Sequence, residues 1–172
     1  LLDSIIMRIT DVFLAVPPTL MAVTVVAALG TSIPNLILAL TISMVPPFTR
    51  IVRSAVLQIR GADYIEAAIA YGSKDAYIIF SHVLPNAIGP IIVQATVNLA
   101  SVLLSVTALG FIGLGVPSPQ PEWGTMMAEN KAQMRYYPYL VVIPGIVIAA
   151  TVLSINMIGD GLRDALDPKL KN

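Results

Sequence analysis

The sequence predicts an all-α membrane protein, because it is too apolar for a water-soluble domain and its apolar residues fall into a few long stretches. Of its 172 residues, 56% are hydrophobic and 12% are charged. Soluble domains are nearer half apolar and about a quarter charged. The formal net charge is zero, which gives no basis for nucleic acid as a partner. Lipid is therefore the expected solvent, with a soluble, fully buried helical bundle as the alternative.

Four apolar stretches are the predicted membrane spans, at approximately 12–30, 33–52, 86–116 and 136–158. A helix needs about 20 apolar residues, and at least about 17, to cross the hydrocarbon core. The third and fourth stretches pass easily and the first passes marginally. The second is long enough only if it continues to Val52. Prolines inside spans are tolerated where neighbouring helices or cavities satisfy the freed backbone groups.

The basic residues predict how the spans are oriented. If the loop after the second span is cytoplasmic, alternation of the spans places eight of the ten basic residues on that side. These are Arg8, Arg50, Arg53, Arg60, Lys74, Arg163, Lys169 and Lys171. Only Lys131 and Arg135 fall outside, which is a positive-inside bias. The prediction is a multi-pass protein in which both ends of this segment are cytoplasmic.

The connection 53–85 is predicted to hold two short helices rather than a flexible linker. Residues 62–71 are rich in alanine, and Gly72 follows them as a residue that tolerates a left-handed cap. Ser73 can cap a second helix over 74–83, and Pro85 either stops that helix or starts the next span. The expected structure is a helix-turn-helix lying at the membrane surface.

This loop carries the motif that identifies a family. Glu66-Ala67-Ala68 is followed by three residues, Gly72, nine residues, His82, one residue and Leu84-Pro85. The spacing resembles the EAA loop of type I ABC importer permeases, in which isoleucine is commonest at the position of His82. The resemblance implies a type I ABC importer transmembrane bundle whose loop docks on a separate ATPase. It implies that the coupling interface contains Glu66, Ala67, Ala68, Gly72, His82, Leu84 and Pro85.

Each of these residues taken alone has a simpler interpretation. Gly72 could be only a helix cap, and Glu66 only a solvated charge. His82 is better interpreted as a packing or capping residue than as a proton relay. The spaced set as a whole favours the coupling loop.

Three further segments resemble the C-type subunit of dipeptide, oligopeptide and nickel permeases. They are Asp11 to Pro17, Leu109 to Val116 with Trp123-Gly124 after it, and Gly159 to Pro168. That resemblance implies a prokaryotic inner membrane and six spans in the full protein, so we expect this chain to be a segment of a longer one. The implied partners are ABC ATPase subunits, a second permease subunit and an extracytoplasmic substrate-binding protein. ATP and magnesium would be bound by the ATPase, and no cofactor is expected in this chain.

Polar residues in the third span form a possible translocation path. Gln94, Asn98, Ser101 and Ser105 fall within about 60° of one another on a helix, at 100° per residue. Polar side chains at membrane depth usually face the bundle interior or a water-filled cavity. The alternative is hydrogen bonding between helices. Gly110, Gly113 and Gly115 after this stripe favour close packing or a bend over contact with a substrate.

The sequence favours a transport subunit over an enzyme. It has no glycine-rich phosphate loop, no cysteine and a single histidine, so neither catalytic residues nor a metal site are predicted. No charged residue lies deep in a span, which disfavours an ion-coupled carrier. The predicted function is passage of peptides, or nickel, driven by a partner ATPase. A secondary transporter or channel not driven by ATP is the alternative.

Overall fold

The computed structural model describes residues 1–166, and this part of the chain is helical with no β-strand. The helices are α1 (Leu2–Leu14), α2 (Pro18–Leu29), α3 (Ile33–Arg60), α4 (Asp63–Ala70), α5 (Asp75–Ile78), α6 (Leu84–Phe111), α7 (Trp123–Asn130) and α8 (Tyr139–Leu166). A π-helical segment, Ile79–Val83, joins α5 to α6, and a 3-10 turn, Lys131–Gln133, follows α7. Four predicted positions, Asp167, Pro168, Lys169 and Lys171, lie outside the described residues.

Three of the described helices are long and apolar enough to cross a membrane. They are α3, α8 and the continuous helix Asp75–Phe111, which has 37 residues. The pair α1 and α2 would make a fourth span if counted together, but its two helices meet at 79°. The prediction of an all-α membrane bundle is confirmed.

The break between α1 and α2 lies inside the stretch 12–30. Pro17 has an extended backbone with ψ of 132°, and Pro18 is the first residue of α2. A proline lacks the N–H that a helix interior needs but suits a first turn, so the chain restarts rather than continues. Residues 12–14 therefore belong to α1, which starts as early as Leu2.

By contrast, α3 continues as one helix past its own double proline. Pro46 and Pro47 lie inside the helix, which continues to Arg60, well past the predicted end of the span at Val52. The start of α3 is well defined, since the Ser32 hydroxyl accepts a hydrogen bond from the Asn35 amide at 3.2 Å. The Asn35 side chain donates to the carbonyls of Leu29 and Gly30 and so also closes the end of α2.

A second helix follows α4 as expected, but it continues into the next span instead of ending, and the expectation that Ser73 caps it was wrong. The helix begins at Asp75 with Lys74 rather than Ser73 at its N-cap, and no side chain caps it. It then passes through the π-helical segment into α6 without a break. Pro85 is the second residue of α6 and comes just after the π-helical segment. Only α4 is an independent short helix.

Two contacts organise the bundle. α2, α3 and α6 share an apolar cluster formed by Ala22, Val26, Leu36, Ala39, Leu40 and Leu109. α6 and α8 pack antiparallel, with Gly159 of α8 against Thr96 and Val97. Many large apolar side chains on the outer faces remain exposed, among them Ile37, Leu99, Ile146 and Leu153. Exposed apolar faces of this kind suit lipid rather than water.

Candidate functional site

The α4 helix presents the first part of the motif on its surface. Ile65 is 1% exposed and fixes the helix to the rest of the protein. The neighbouring Glu66 and Ala67 are exposed, and Ala68 is half-buried. Short side chains at the last two positions let another surface approach the helix backbone closely. Glu66 makes no ion pair among the described residues, so its charge is available to a basic group.

Gly72 ends α4 in a Schellman motif. Its φ is +76°, in the left-handed region that glycine adopts without strain. The Gly72 amide donates to the Ile69 carbonyl at 2.9 Å, and the Ser73 amide donates to the Ala68 carbonyl at 3.1 Å. These two bonds are the pair that defines the motif. The prediction of a glycine cap is confirmed, and no atom lies within 4 Å of where a Cβ on Gly72 would stand.

His82 packs between two tyrosines. Its ring lies edge-on to Tyr77 at 5.5 Å and to Tyr64 at 6.4 Å between centroids. Tyr64 belongs to α4 and Tyr77 to α5, so the histidine holds the two helices of the turn together. Such aromatic contacts contribute on the order of 1 kcal/mol each. The geometry agrees with the packing interpretation, although nothing in the sequence pattern had indicated the two tyrosines as its partners.

Large apolar side chains surround the motif without being covered. Ile69, Tyr71, Tyr77, Ile79 and Phe80 are all exposed, Tyr71 at 91% and Phe80 at 69%. An exposed patch of this kind marks a surface for a protein or a membrane. Leu84 and Pro85, the end of the motif, are also exposed at the start of α6. The seven motif residues thus lie along one turn and the helix that leaves it.

The polar stripe of α6 is only partly buried. Gln94 and Asn98 approach each other at 3.5 Å, and the Ser105 hydroxyl donates to the Ser101 carbonyl at 2.9 Å. These bonds stay within α6, and the helix packs on α8 through other residues, Thr96 and Val97. The stripe therefore does not serve as a hydrogen-bonding seam between the described helices.

The C-terminal end of the stripe borders a pocket. Its volume is about 130 Å³, and it lies between α2, α3 and α6. Ser105 contributes to its wall, together with Pro18 and Ser43. The Ser43 hydroxyl donates to the carbonyl of Ala39 at 2.9 Å, so its polar group is satisfied within α3. Ser105 is the one stripe member that lines this pocket, and the other lining residues are apolar apart from Thr19 and Ser43.

The glycines at the end of α6 and after it serve close packing or a bend, as expected. A methyl group on Gly110 would overlap the Glu122 carboxylate, and one on Gly124 would overlap the Thr107 carbonyl oxygen. One on Gly115 would stand 2.5 Å from the Gly110 Cα. Gly113 instead makes the bend, with a φ of +85°. We call Gly110, Gly115, Gly124 and Glu122 the glycine knot; it joins the end of α6 to the start of α7.

Glu122 was not recognised from the sequence as a structural residue. Its carboxylate accepts hydrogen bonds from the amides of Gly124 and Thr125 at 2.8 and 2.7 Å, and from the Thr125 hydroxyl at 2.7 Å. It is therefore the N-cap of α7, a role in which serine, threonine, aspartate or asparagine is preferred. The preference for shorter side chains is the reason that the sequence pattern gave no signal.

The described residues contain no group of three or more histidine, aspartate or glutamate side chains that could hold a metal ion. All 172 residues match the family described as the inner membrane component of binding-protein-dependent transport systems. The chain belongs to this family. Its residues 1–166 therefore form helices of such a component, arranged as above.

Curated relatives within this family are named for peptide transport. A dipeptide transport system permease of Alkalihalophilus pseudofirmus is 48% identical over 171 residues, covering 99% of this chain and 56% of the relative. A di/tripeptide permease of Pseudomonas aeruginosa is 46% identical over 168 residues, covering 98% and 55%. A glutathione permease of Salmonella typhimurium is 44% identical over 169 residues, covering 98% and 56%. The chain thus spans a little over half the length of these relatives.

Proposed function

We propose that this chain forms the membrane path and the ATPase-coupling surface of an ABC importer for short peptides. The observation that carries the proposal is the placement of the EAA-type motif. Its residues lie on an exposed turn, and the second half of that turn continues without a break into the helix with the polar stripe. A force applied to α5 would therefore act directly on α6.

The mechanism follows from this continuity. ATP-driven closure of two ATPase subunits would draw the α4–α5 turns of two permease subunits towards each other. Because α5 and α6 form one helix of 37 residues, displacement of the turn would tilt α6 as a rigid body. The link to α3 is looser, since Gly61 and Ala62 separate α3 from α4. A second permease subunit would complete the path, and an external binding protein would deliver the peptide.

A charge reversal at Glu66 tests the coupling surface. In the full-length transporter with its ATPase, Glu66→Lys should lower co-purification of the ATPase and ATP-dependent peptide uptake by tenfold or more, since like charges across an interface cost several kcal/mol. Gly72→Asp should act in the same direction. Glu129→Lys is the matched control, because Glu129 is exposed on α7, far along the chain from the turn. Unchanged uptake in both loop variants would refute the coupling role.

The polar stripe is proposed to line the path of the peptide. Cysteines placed singly at Gln94, Asn98, Ser101 and Ser105 should react with water-soluble thiol reagents at rates that change when ATP and peptide are added. Leu99, exposed on another face of α6, is the control and should stay protected by lipid. Uniform protection of the four positions, whatever the transport state, would exclude them from the path.

Peptides are preferred to nickel because the relatives are named for the transport of peptides. Uptake into vesicles decides between these substrates and between mechanisms. Accumulation of a labelled dipeptide that requires ATP supports the proposal. Accumulation of nickel but not of the dipeptide would indicate nickel as the substrate. Uptake driven by an ion gradient without ATP would indicate a secondary transporter.

A further inference from the structure

α1 has one face packed on the protein and another that is largely exposed. Its buried and half-buried residues are Met7, Thr10 and Leu14, and α3 is the helix that it packs against. The opposite face holds six large apolar residues in an arc of about 120°, at 100° per residue. They are Leu2, Ile5, Ile6, Ile9, Val12 and Phe13, and each is between 42% and 77% exposed. We call this set the apolar arc.

The angle between α1 and α2 is too large for the two helices to form one straight transmembrane span. Its axis meets that of α2 at 79°, so α1 lies close to the membrane plane if α2 runs along the bundle with α3. The apolar arc therefore has to be covered along the length of the helix rather than across the bilayer.

Two ion pairs tie α1 to the C-terminal half of α3. Arg50 contacts Asp11 at 2.8 Å, and Arg53 contacts Asp3 at 2.7 Å. Both arginines lie at the end of the apolar part of α3, where charged side chains reach the membrane surface. All four side chains are at least 40% exposed, as expected for groups near water. Because the pairs involve residues near both ends of α1, the two ends lie at similar depths.

We propose that α1 is an interfacial helix whose apolar arc is inserted into the acyl-chain region of the predicted cytoplasmic leaflet. Val16 and Leu20, which follow the arc along the chain, are also exposed apolar residues and suit contact with lipid. Arg8 lies at the border of the arc and is exposed, which suits contact with headgroup phosphates. The two ion pairs would then hold the last part of α3 at the membrane surface, just before the chain enters α4.

Depth measurements with spin labels test this inference without requiring transport, so their outcome is independent of the proposed function. The 172 residues contain no cysteine, so single cysteines can be introduced here and labelled in the full-length transporter in lipid nanodiscs, after replacement of any cysteine elsewhere in it. Labels at Leu2, Ile9 and Phe13 sample the arc. A label at Met7 samples the face towards α3, and one at Ile146, exposed in α8, gives a deep lipid-facing reference.

The expected result is the same shallow depth at all three arc positions, with higher accessibility to oxygen than to a water-soluble nickel chelate. An upright helix would instead give a depth difference of about 16 Å between Leu2 and Phe13, at 1.5 Å per residue. That gradient would overturn the proposal. So would strong immobilisation with low accessibility to both reagents, which would mean that another span or subunit covers the arc. High accessibility to the chelate at all three positions would place α1 in water and also overturn it.

Discussion

At the end of α6, glycines stand where no methyl group would fit, whereas Gly72 in the α4–α5 turn has open space where a Cβ would be. Gly110, Gly115 and Gly124 are required because backbone and carboxylate atoms approach them closely. Gly72 is required only because its backbone has a positive φ. The same residue type therefore has a packing role at one end of the molecule and a conformational role at the other.

This difference indicates how the two ends are used. The glycine knot binds α6, the following loop and α7 into one close-packed unit, and Glu122 satisfies two α7 amides within it. The α4–α5 turn is held by Ile65, Ile78 and the His82 ring, while its other apolar side chains remain exposed. A unit with internal contacts is suited to moving as a rigid piece. A turn with an exposed surface is suited to receiving a partner.

The largest effect is expected from a methyl group in the glycine knot. Gly124→Ala places a Cβ onto the Thr107 carbonyl oxygen, a backbone atom that cannot move aside cheaply. Overpacking of this kind costs about 3 kcal/mol. The thermal midpoint for loss of the monodisperse species in detergent should fall by several degrees, as followed by size-exclusion chromatography after heating.

Gly161→Ala is the matched control for that variant. Gly161 lies in α8 and has no atom within 4 Å of the place where a methyl group would stand, so alanine should leave the midpoint unchanged or raise it. Equal midpoints for the two variants would mean that the knot can relax, and that α6 and α7 are not locked together as the contacts indicate.

The sequence was sufficient for the fold class because the apolar stretches are long and the basic residues are asymmetric. It was not sufficient for the helix ends, because two similar double prolines behave differently. Pro17-Pro18 separates two helices, whereas Pro46-Pro47 lies within α3. Pro46 is buried in the bundle, where neighbouring helices support a continuous path, and this tertiary contact has no local signature.

The candidate site was predictable where spacing carries the information. The spacing of the motif predicted where the turn lies in the sequence, and it predicted Gly72 at a left-handed cap. The fusion of α5 with α6 was not predictable, since it depends on a π-helical segment rather than on Ser73 or Pro85. The ion pair between Arg53 and Asp3 was not predictable either, because the two residues are 50 positions apart in the sequence. Which residues contact the ATPase or a peptide stays a prediction.

The smaller effect is expected at Gly72, and it should be local. Gly72→Ala forces a Cβ into the left-handed region at a cost of about 1–2 kcal/mol, whereas Gly72→Asn should cost less because asparagine tolerates that region. Hydrogen exchange of the peptide covering 63–74 should speed up by about tenfold for alanine, since about 1.4 kcal/mol corresponds to a factor of ten.

The peptide covering 105–115, at the glycine knot, should be unchanged. Gly61→Ala is the control, with a φ of −86° and open space around it. Equal effects of alanine and asparagine, or faster exchange at the knot, would show that Gly72 has a packing role as well and would remove the contrast between the two ends.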